Sequence, residues 1–394
     1  MTAAAARAFG EEITVEMLDA DPYPIYARMR EAFPVCWVPA VGLWFVTRWA
    51  DGQYVNTHPE IFTADVTDSP LVRALGPNAL TVDGDLHKRF REPIEAPLKP
   101  RLVDEWAPGI VTPIAEELLE AIAAEGSAEI MAAFLEPVSV RSLAEVMGIG
   151  AIASDTLRGW FGDLATGGAN FEEDPGKFAI ADAAARGVNE RLAPLLDRLE
   201  TEPDGSVLSR MLHAPDGMRP RQEVLSNLKL ILLGGMQEPG HAAGNTLYAI
   251  LSHADARDRV HADPGLVGAA LEEGMRWLSP VGTTTREVLE PVTLAGVQLE
   301  PGARVATVSS ANRDSTRWER ADEFDIDRPP TMHRAFGTGP HFCVGHWLAR
   351  YEQRIPLQLL FERLPNLRLD PDRRVEITGW EFRGPRALPV IWDA

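Results

Sequence analysis

The sequence predicts a mainly α-helical protein with small β-sheets, on three grounds. Segments that place apolar residues at helical spacing cover more of the chain than segments of β-rich composition. The β-rich segments are short and cluster towards the two ends of the chain. Although a length of 394 residues would allow two or three domains, no linker, repeat or low-complexity stretch divides the chain. We therefore expect a single domain over residues 1–394.

The individual elements follow from periodicity and composition. Short runs rich in β-branched and aromatic residues predict strands at 35–38, 43–47, 292–294, 304–308 and 388–392. Apolar residues spaced by three and four predict helices at 102–122, 138–147, 155–164, 179–199, 223–235, 266–278 and 344–364. Long turn-rich connections remain at 63–83, 167–177 and 325–339, and loops of that length are often functional.

The charge and the cysteine content exclude several classes of protein. A net charge of −20 disfavours binding to nucleic acid or to anionic membranes. The two cysteines, Cys36 and Cys343, cannot build a disulfide framework or a four-thiolate metal site, and they suit a reducing cytosol. The N-terminal residues lack the apolar core of a signal peptide, and the apolar stretch at 230–236 is too short to span a bilayer. We expect a cytoplasmic protein without a nucleic-acid or membrane partner.

The segment FGTGPHFCVG delivers Cys343 to the start of a predicted helix. Backbone N–H groups and the helix dipole at such a position lower the pKa of a thiol and stabilise its thiolate. Gly337 and Gly339 permit tight turns, Gly345 permits the close approach of a flat ligand, and Phe336 can pack beneath that ligand. A buried, inert cysteine in a loop is the alternative, and it is the usual state of a lone cysteine.

This segment matches the pattern FGxGxHxCxG, and here the chain resembles the cytochrome P-450 family. Three further segments match in the right order, so the resemblance covers nearly the whole sequence. It implies the cytochrome P-450 fold and a haem b cofactor whose iron is ligated by the thiolate of Cys343. A thiolate ligand pushes electron density onto the iron and favours cleavage of the O–O bond.

The first further segment is the pair Glu273 and Arg276, three residues apart on one helical face. By itself such a pair could be a surface ion pair of little energetic value. The resemblance implies instead that both residues join Arg328 in a buried network. That network would brace the loop that carries Cys343.

The second segment supplies cations for the two haem propionates. The resemblance assigns this role to His87 and Arg91, which lie four residues apart on a helix, together with Arg286 and His341. The alternative for each is a solvated surface cation. It is weakest for Arg286, which lies in an apolar, threonine-rich strand.

The third segment is the central helix LLGGMQEPGH, which in the family crosses the haem face opposite the cysteine. The resemblance places Gly235 against the haem. The family's usual proton-relaying acid and alcohol are replaced here by Gln237 and Glu238. Pro239 lacks a backbone N–H and is expected to break the helix and open a groove for oxygen and water. Gln237 and Glu238 form an altered proton relay, or the relay is degraded and oxygenase function is lost.

The string MQEPG resembles a branch of bacterial P-450 enzymes that O-demethylate methoxyphenols such as guaiacol and syringol. The leading hypothesis is therefore oxidative O-demethylation of a lignin-derived aromatic, with release of formaldehyde and possible use of peroxide through Glu238. The alternative is hydroxylation of a terpene, fatty acid or polyketide on the same scaffold. A third reading, different in class, is a haem-thiolate sensor with little turnover.

The substrate pocket is expected to be mainly apolar, which suits a small aromatic guest. Leu75 and Gly168 stand where guaiacol enzymes of this type carry phenylalanine, and Phe382 is retained. The smaller side chains leave volume for a second methoxy group, which favours syringol. The full set of predicted pocket residues is Val72, Leu75, Leu80, Val82, Gly168, Phe171, Leu233, Val281, Thr283 and Phe382.

Besides dioxygen, the reaction would need electrons from outside, because the chain has no flavin or iron–sulfur motif. The donor would be a ferredoxin with its reductase, or a single reductase that carries both flavin and iron–sulfur centres. Residues 87–101 carry five Lys or Arg against two Glu, so this basic patch could dock an acidic donor. An ordinary solvated helix face is the alternative.

Overall fold

The computed structural model describes residues 3–393 and confirms the mainly α-helical fold with small sheets. In chain order the α-helices are α1 (Ala3–Glu11), α2 (Val15–Ala20), α3 (Tyr23–Ala32), α4 (Trp49–Thr57), α5 (Pro70–Leu75), α6 (Gly84–Glu95), α7 (Pro100–Glu120), α8 (Glu136–Met147), α9 (Ser154–Gly168), α10 (Pro175–Thr201), α11 (Val207–Leu212), α12 (Arg221–Leu232), α13 (Glu238–Ser252), α14 (Ala254–Ala262), α15 (Val267–Trp277) and α16 (His346–Arg363). The strands are β1 (Val35–Val38), β2 (Leu43–Val46), β3 (Phe62–Thr63), β4 (Ser127–Glu129), β5 (His213–Ala214), β6 (Gly217–Met218), β7 (Thr283–Val288), β8 (Val292–Leu294), β9 (Val297–Leu299), β10 (Arg304–Val308), β11 (Arg368–Leu369), β12 (Ile377–Thr378), β13 (Gly384–Pro385) and β14 (Pro389–Ile391).

The largest sheet joins two distant parts of the chain. Its strand order is β1-β2-β10-β7-β3, so strands from residues 35–63 enclose strands from residues 283–308. β2 and β10 run parallel, with Val305 opposite Trp44, while the other pairs are antiparallel. Strand β7 thereby lies inside the sheet, where its side chains are held on both sides.

The helical core consists of two large apolar clusters that share helices. α8 contributes Val138 to the first cluster and Leu143 to the second. α16 does the same with Leu357 and Leu348. The loop that leads into α16 therefore ends on a helix that is packed into both halves of the core.

The central helix does not end at Gly235 or break at Pro239, so this part of the sequence prediction was wrong. α12 continues through a five-residue π turn, Leu233–Gln237, directly into α13. Pro239 is the second residue after the π turn, so its missing N–H falls where the regular helical hydrogen-bond ladder is already interrupted. The Ser139 hydroxyl donates to the carbonyl of Met236 at 2.8 Å, which satisfies a carbonyl within the π turn.

A buried ion pair within α15 is the centre of a hydrogen-bond network that joins this helix to the segment after the main sheet. Arg276 donates to both carboxylate oxygens of Glu273, at 2.7 and 2.8 Å, and is 3% exposed. Arg328 donates to the same carboxylate at 3.0 Å. The Arg276 guanidinium also donates to three backbone carbonyls, those of Asn312, Ala321 and Glu323. One arginine thus fixes the course of a long irregular segment.

This network reaches the cysteine loop. The Asn312 side-chain oxygen accepts from the backbone N–H of Arg334 at 2.8 Å, and the Asn312 amide donates to Ser279 at 3.2 Å. Arg334 lies two residues before Phe336. The start of the cysteine loop is therefore tied to α15 through side chains that are buried.

Replacing Arg276 with Ala should lower the free energy of unfolding by roughly 3–5 kcal/mol, because Glu273 would keep a buried charge with only Arg328 beside it. Urea unfolding followed by circular dichroism measures the change. The matched control is Arg320→Ala, because Arg320 pairs with Glu323 and Asp325 while its side chain is 57% exposed. The control should cost under about 1 kcal/mol, and equal losses in the two variants would contradict the bracing role.

Candidate active site

The cysteine loop is held by its own backbone hydrogen bonds. The N–H of Cys343 donates to the carbonyl of Phe336 at 2.9 Å, and the N–H of Gly337 donates to that of Arg334 at 2.9 Å. The chain then turns through a 3-10 segment, Gly339–His341, and enters α16 at His346. Cys343 is placed just before the N-terminus of that helix.

The sulfur of Cys343 accepts from the backbone N–H groups of Gly345 and His346. Burial raises the pKa of the Cys343 thiol, and these two N–H groups and the charges of Arg91 and Arg350 only partly oppose it. The expected lowering by N–H groups at the start of the helix is present, but in the protein alone burial outweighs it. A metal ion at the sulfur would supply the missing charge, because a coordinating thiol is deprotonated outright.

The glycines of this loop serve different needs. Gly339 has φ +74°, and a Cβ on it would lie 2.2 Å from the backbone oxygen of Asn56 in α4. Gly337 has φ +72°, and a Cβ there would lie at an ordinary 3.6 Å from the carbonyl of His341. Gly345 has φ −87°, so it is not required for its conformation. A Cβ at Gly345 would point to within 4.0 Å of the sulfur, which leaves that side of Cys343 open to a flat ligand.

The four cations predicted for the propionates come together near one acid, Asp83. His341 contacts an oxygen of Asp83 at 2.8 Å, and the rings of His87 and His341 lie 4.3 Å apart. Arg91 donates to the carbonyl of Pro340 at 3.3 Å. Arg286 is 4% exposed, and Asp83 is the carboxylate whose charge acts on it.

The charge states in this cluster follow from burial. Burial lowers the pKa of His87 to about 4, with further lowering from His341 and Arg91, and it lowers the pKa of Arg286 to about 10. Burial would raise the pKa of Asp83, but hydrogen bonds from His341, Thr63 and the N–H of Ala64 hold it well below its usual range. Asp83 was not predicted from the sequence.

Two ring nitrogens in this cluster are sealed from solvent and have no hydrogen-bond partner among residues 3–393: Nε2 of His87 and Nδ1 of His341. Buried polar atoms are rarely left unpaired. Together with the guanidinium groups of Arg91 and Arg286, they form a set of donors suited to two carboxylates. The cluster therefore fits the propionates of a haem whose iron lies at Cys343.

The π turn of the central helix supplies an open surface. Gly234 is exposed although the helix around it is buried, and nothing lies within 4 Å of the position of a Cβ. Gly235 faces elsewhere, because a Cβ there would lie 2.6 Å from Cδ2 of Leu143 in α8. Gly234, which the sequence reasoning passed over, is thus the glycine that leaves room for a flat group. A haem contact at Gly235 stays a prediction.

Glu238 is 7% exposed, and both of its carboxylate oxygens are sealed without a hydrogen-bond partner within the described residues. Burial raises the pKa of Glu238 well above its usual range, which favours the protonated form of the side chain. The side-chain oxygen of Gln237 is likewise unpaired and sealed. One turn further, burial lowers the pKa of His241 to about 4. The helix thus presents neutral polar groups that can hold and pass a proton.

Half of the predicted pocket residues meet in one apolar region. Leu75, Leu233 and Phe382 pack in the same cluster, and Val281 forms a β-bridge with Phe382. A Cβ at Gly168 would lie 3.0 Å from Cδ1 of Leu71 and 3.6 Å from Cδ1 of Leu233. The structure therefore places the two positions predicted to leave volume, Leu75 and Gly168, in the region that contains Leu233.

The other predicted pocket residues lie apart from that cluster or show no contact with it. Phe171 packs on Trp380, with ring centroids 5.5 Å apart, in the cluster of the N-terminal helices. The Thr283 hydroxyl donates to Glu381 at 2.5 Å. Val82 is buried, while Val72 and Leu80 are half-buried. Their part in a pocket stays a prediction.

The predicted basic patch at 87–101 carries little net charge. Four of its five Lys and Arg residues pair with carboxylates: Lys88 with Asp85, Arg89 with Glu223, Arg91 with Glu95, and Arg101 with Glu105. The sequence count missed Asp85, Glu105 and the distant Glu223. This pairing favours the alternative of an ordinary solvated helix face.

No helix within residues 3–393 is long and apolar enough to cross a membrane.

Comparisons with known proteins show which family this chain resembles. The family model of cytochrome P450 matches residues 254–378. "Cytochrome P450 107B1" from Saccharopolyspora erythraea is 33% identical over 94% of this chain and 95% of its own length. "Cytochrome P450 monooxygenase PikC" from Streptomyces venezuelae is 32% identical over 95% and 91%. "Vitamin D(3) 25-hydroxylase" from Pseudonocardia autotrophica is 30% identical over 94% and 93%.

Solved structures give the same result. The structure of CYP109E1 from Bacillus megaterium in complex with testosterone has a TM-score of 0.88 at 26% identity and covers 97% of this chain and all of its own. The structure of myxobacterial CYP267B1 in complex with myristic acid has a TM-score of 0.87 at 28% identity, covering 95% and 97%.

The close approach at Gly339 can be tested by Gly339→Ala. Gly302 is the matched control, because it has φ +84° and nothing within 4 Å of the position of a Cβ. Both substitutions incur the cost of a left-handed conformation, about 1–2 kcal/mol. Only Gly339→Ala also forces a side chain against the Asn56 carbonyl, which should add roughly 1–3 kcal/mol and reduce the haem retained on purification. Equal thermal midpoints and equal haem content in the two variants would contradict the assigned contact.

Proposed function

The chain belongs to the cytochrome P450 family and is a haem b-dependent monooxygenase, and within that class we propose that it hydroxylates a C–H bond of a hydrophobic substrate. The observation that carries this proposal is the apolar region formed by Leu75, Leu233 and Phe382. It contains the side chain of Leu233, the residue at which the π turn of the central helix begins. A mostly apolar pocket with few polar groups selects a hydrophobic guest.

The relatives support hydroxylation as the reaction. Besides the vitamin D(3) 25-hydroxylase, "6-deoxyerythronolide B hydroxylase" from Saccharopolyspora erythraea is 29% identical over 95% of this chain. "Mycinamicin IV hydroxylase/epoxidase" from Micromonospora griseorubida is 30% identical over 93%. These proteins are named for large hydrophobic substrates, which favours a substrate of that kind over a small aromatic one.

The haem, when bound, supplies the activation of dioxygen and the transfer of one oxygen atom. We propose that Cys343 ligates its iron, with the N–H groups of Gly345 and His346 stabilising the thiolate. Cys36 is unsuited to that role, because it is 1% exposed in β1 and its thiol donates to the backbone carbonyls of Ala6 and Trp37. The cation cluster around Asp83 would hold the propionates.

The residues of the π turn would handle protons. Burial of the Glu238 carboxyl favours its protonated form, and Gln237 could orient a water beside it through its amide. Electrons must come from an external donor, as in the rest of the family. The donor would be a ferredoxin with its reductase, or a single reductase that carries both flavin and iron–sulfur centres. The paired charges at 87–101 do not favour one of these donors over the other.

O-demethylation of a methoxyphenol is the second candidate, and one observation favours it. Gln237, Glu238 and Pro239 replace the family's usual residues with those of the demethylase-like string. The chemistry is a special case of hydroxylation, since a hydroxylated methoxy methyl is a hemiacetal that collapses to a phenol and formaldehyde. Guaiacol and syringol are the compounds to test. None of the relatives reported above is named for such a substrate, so this candidate stands second.

A substrate panel separates the two candidates. Testosterone, myristic acid and a macrolide aglycone would be compared with guaiacol and syringol, using a surrogate ferredoxin, its reductase and NADPH. The proposal predicts a haem spin-state change and a hydroxylated product with at least one of the first three, without formaldehyde. Formaldehyde release from methoxyphenols alone would establish the second candidate instead. Binding without any product would indicate a sensor.

Replacing Gln237 with Asp and Glu238 with Thr together tests the altered relay. A neutral carboxyl at 238 can donate its proton to the departing oxygen of hydrogen peroxide, whereas a threonine is a far weaker acid. Peroxide-driven turnover should therefore fall by roughly 10²-fold in the double variant. Glu238→Gln keeps the shape without the acid and should fall similarly. Equal or faster turnover of the double variant, at equal haem content, would show that Glu238 only shapes the pocket.

A further inference from the structure

Glu272 of α15 and Arg350 of α16 form an ion pair between the helix that braces the cysteine loop and the helix that follows it. Nε of Arg350 donates to one carboxylate oxygen of Glu272 at 2.6 Å, and Nη2 donates to the other at 3.0 Å. Nε2 of His333 lies 3.1 Å from that second oxygen. Burial would raise the pKa of Glu272, but the hydrogen bonds from His333 and Arg350 lower it to about 2. Glu272 is therefore a carboxylate near pH 7.

The guanidinium group of Arg350 also contacts the two ends of the cysteine loop. Nη1 donates to the carbonyl of His346 at 3.0 Å, and Cζ lies 4.5 Å from the centroid of the Phe336 ring. The N–H of His346 donates to the sulfur of Cys343, and the carbonyl of Phe336 accepts from the N–H of Cys343. Arg350 thus touches two of the residues that hydrogen-bond to Cys343.

The charge of Arg350 acts on the sulfur. Burial raises the pKa of the Cys343 thiol, and the charges of Arg91 and Arg350 act against this rise. The Arg350 side chain is 25% exposed, so solvent screens its charge only in part. A cation beside a thiolate that ligates iron also stabilises the ferrous state, because reduction adds negative charge to that centre.

The ion pair is oriented with respect to Cys343. Its positive member contacts His346 and Phe336, whereas its negative member contacts His333 and Arg350. The cation is therefore the member that faces the cysteine loop. A carboxylate bonded to this cation weakens its field at the sulfur without removing it, since the carboxylate lies on the far side.

We propose that the Glu272–Arg350 pair sets the reduction potential of the haem iron, with Arg350 raising the potential and Glu272 limiting the rise. Both are positioning residues, because they act through Cys343 and its hydrogen-bond donors. This inference rests on the proposed function, in which Cys343 ligates the iron. It adds that the contact between α15 and α16 determines how readily the iron accepts an electron from the external donor.

The test is a spectroelectrochemical titration of the substrate-free holoprotein and its variants. Arg350→Met removes the cation and should lower the equilibrium constant for reduction by about tenfold, which is roughly 59 mV for one electron. Glu272→Gln removes the negative charge and should shift the potential the opposite way. The double variant should lie between the two single variants. Opposite signs identify a charge effect, because a loosened α16 would move both single variants in the same direction.

Two further variants separate charge from structure. Arg350→Lys keeps the charge without the two-bond geometry and should stay closer to the intact protein than Arg350→Met does. Arg354→Met is the matched control, because Arg354 is an exposed arginine one turn further along α16, and its potential should not change. If Arg350→Met retains no haem, Glu272→Gln decides alone by a rise in potential.

Shifts of the same sign in the two single variants, or a potential unchanged by Glu272→Gln, would overturn the proposal. Absence of the thiolate band from the reduced carbon monoxide complex of the intact protein would overturn the ligation by Cys343 and this inference with it. A substrate panel without any hydroxylated product would overturn the proposed hydroxylation alone, since the potentials are measured without substrate.

Discussion

The ion pair between Glu273 and Arg276 is the interaction on which the rest of the site depends. The pair is buried, and the remaining N–H groups of Arg276 donate to backbone carbonyls between Asn312 and Glu323, a segment with little regular structure. The side chain of Asn312 in turn accepts a hydrogen bond from the N–H of Arg334, which fixes the start of the cysteine loop. A buried pair of this kind contributes little net stability, since desolvation offsets its attraction. Its value here is that it fixes the position of one loop relative to one helix.

Burial governs the chemistry of the site as strongly as it governs the fold. It raises the pKa of Cys343 and of Glu238, and it lowers that of His87 and of Arg286. Each of these groups is therefore pushed towards its neutral form in the protein alone. A haem would reverse this for the groups that touch it, because its iron favours a thiolate and its propionates favour cations. Glu238 would neither ligate the iron nor pair with a propionate, so burial would continue to favour its protonated form.

The sequence predicted the elements that have a regular pattern and missed those that depend on packing. Strands β1, β8 and β10 begin and end where alternation and β-branched residues place them. Helices α3 and α4 were missed, and their apolar faces are short. Apolar spacing ended the predicted helix at Gly235, whereas in the structure it continues through a π turn that packs against Leu143 of α8. Tertiary contacts of that kind leave no mark in a local pattern.

The same limit applies to the site. Motifs identified Cys343 and the cations around it, because spacing along the chain carries that information. Asp83 was missed, since what distinguishes it is a partner far away in sequence, His341. The basic patch failed for the same reason, as Glu223 neutralises Arg89 from a distance.

The central claim is that the sulfur of Cys343 ligates the haem iron. The most direct measurement is the absorption spectrum of the reduced carbon monoxide complex, recorded for the intact protein and for Cys343→Ser and Cys36→Ser. The account predicts the thiolate band in the intact protein and in Cys36→Ser, and its loss in Cys343→Ser. Survival of that band in Cys343→Ser, or its loss in Cys36→Ser with the fold intact, would contradict the account.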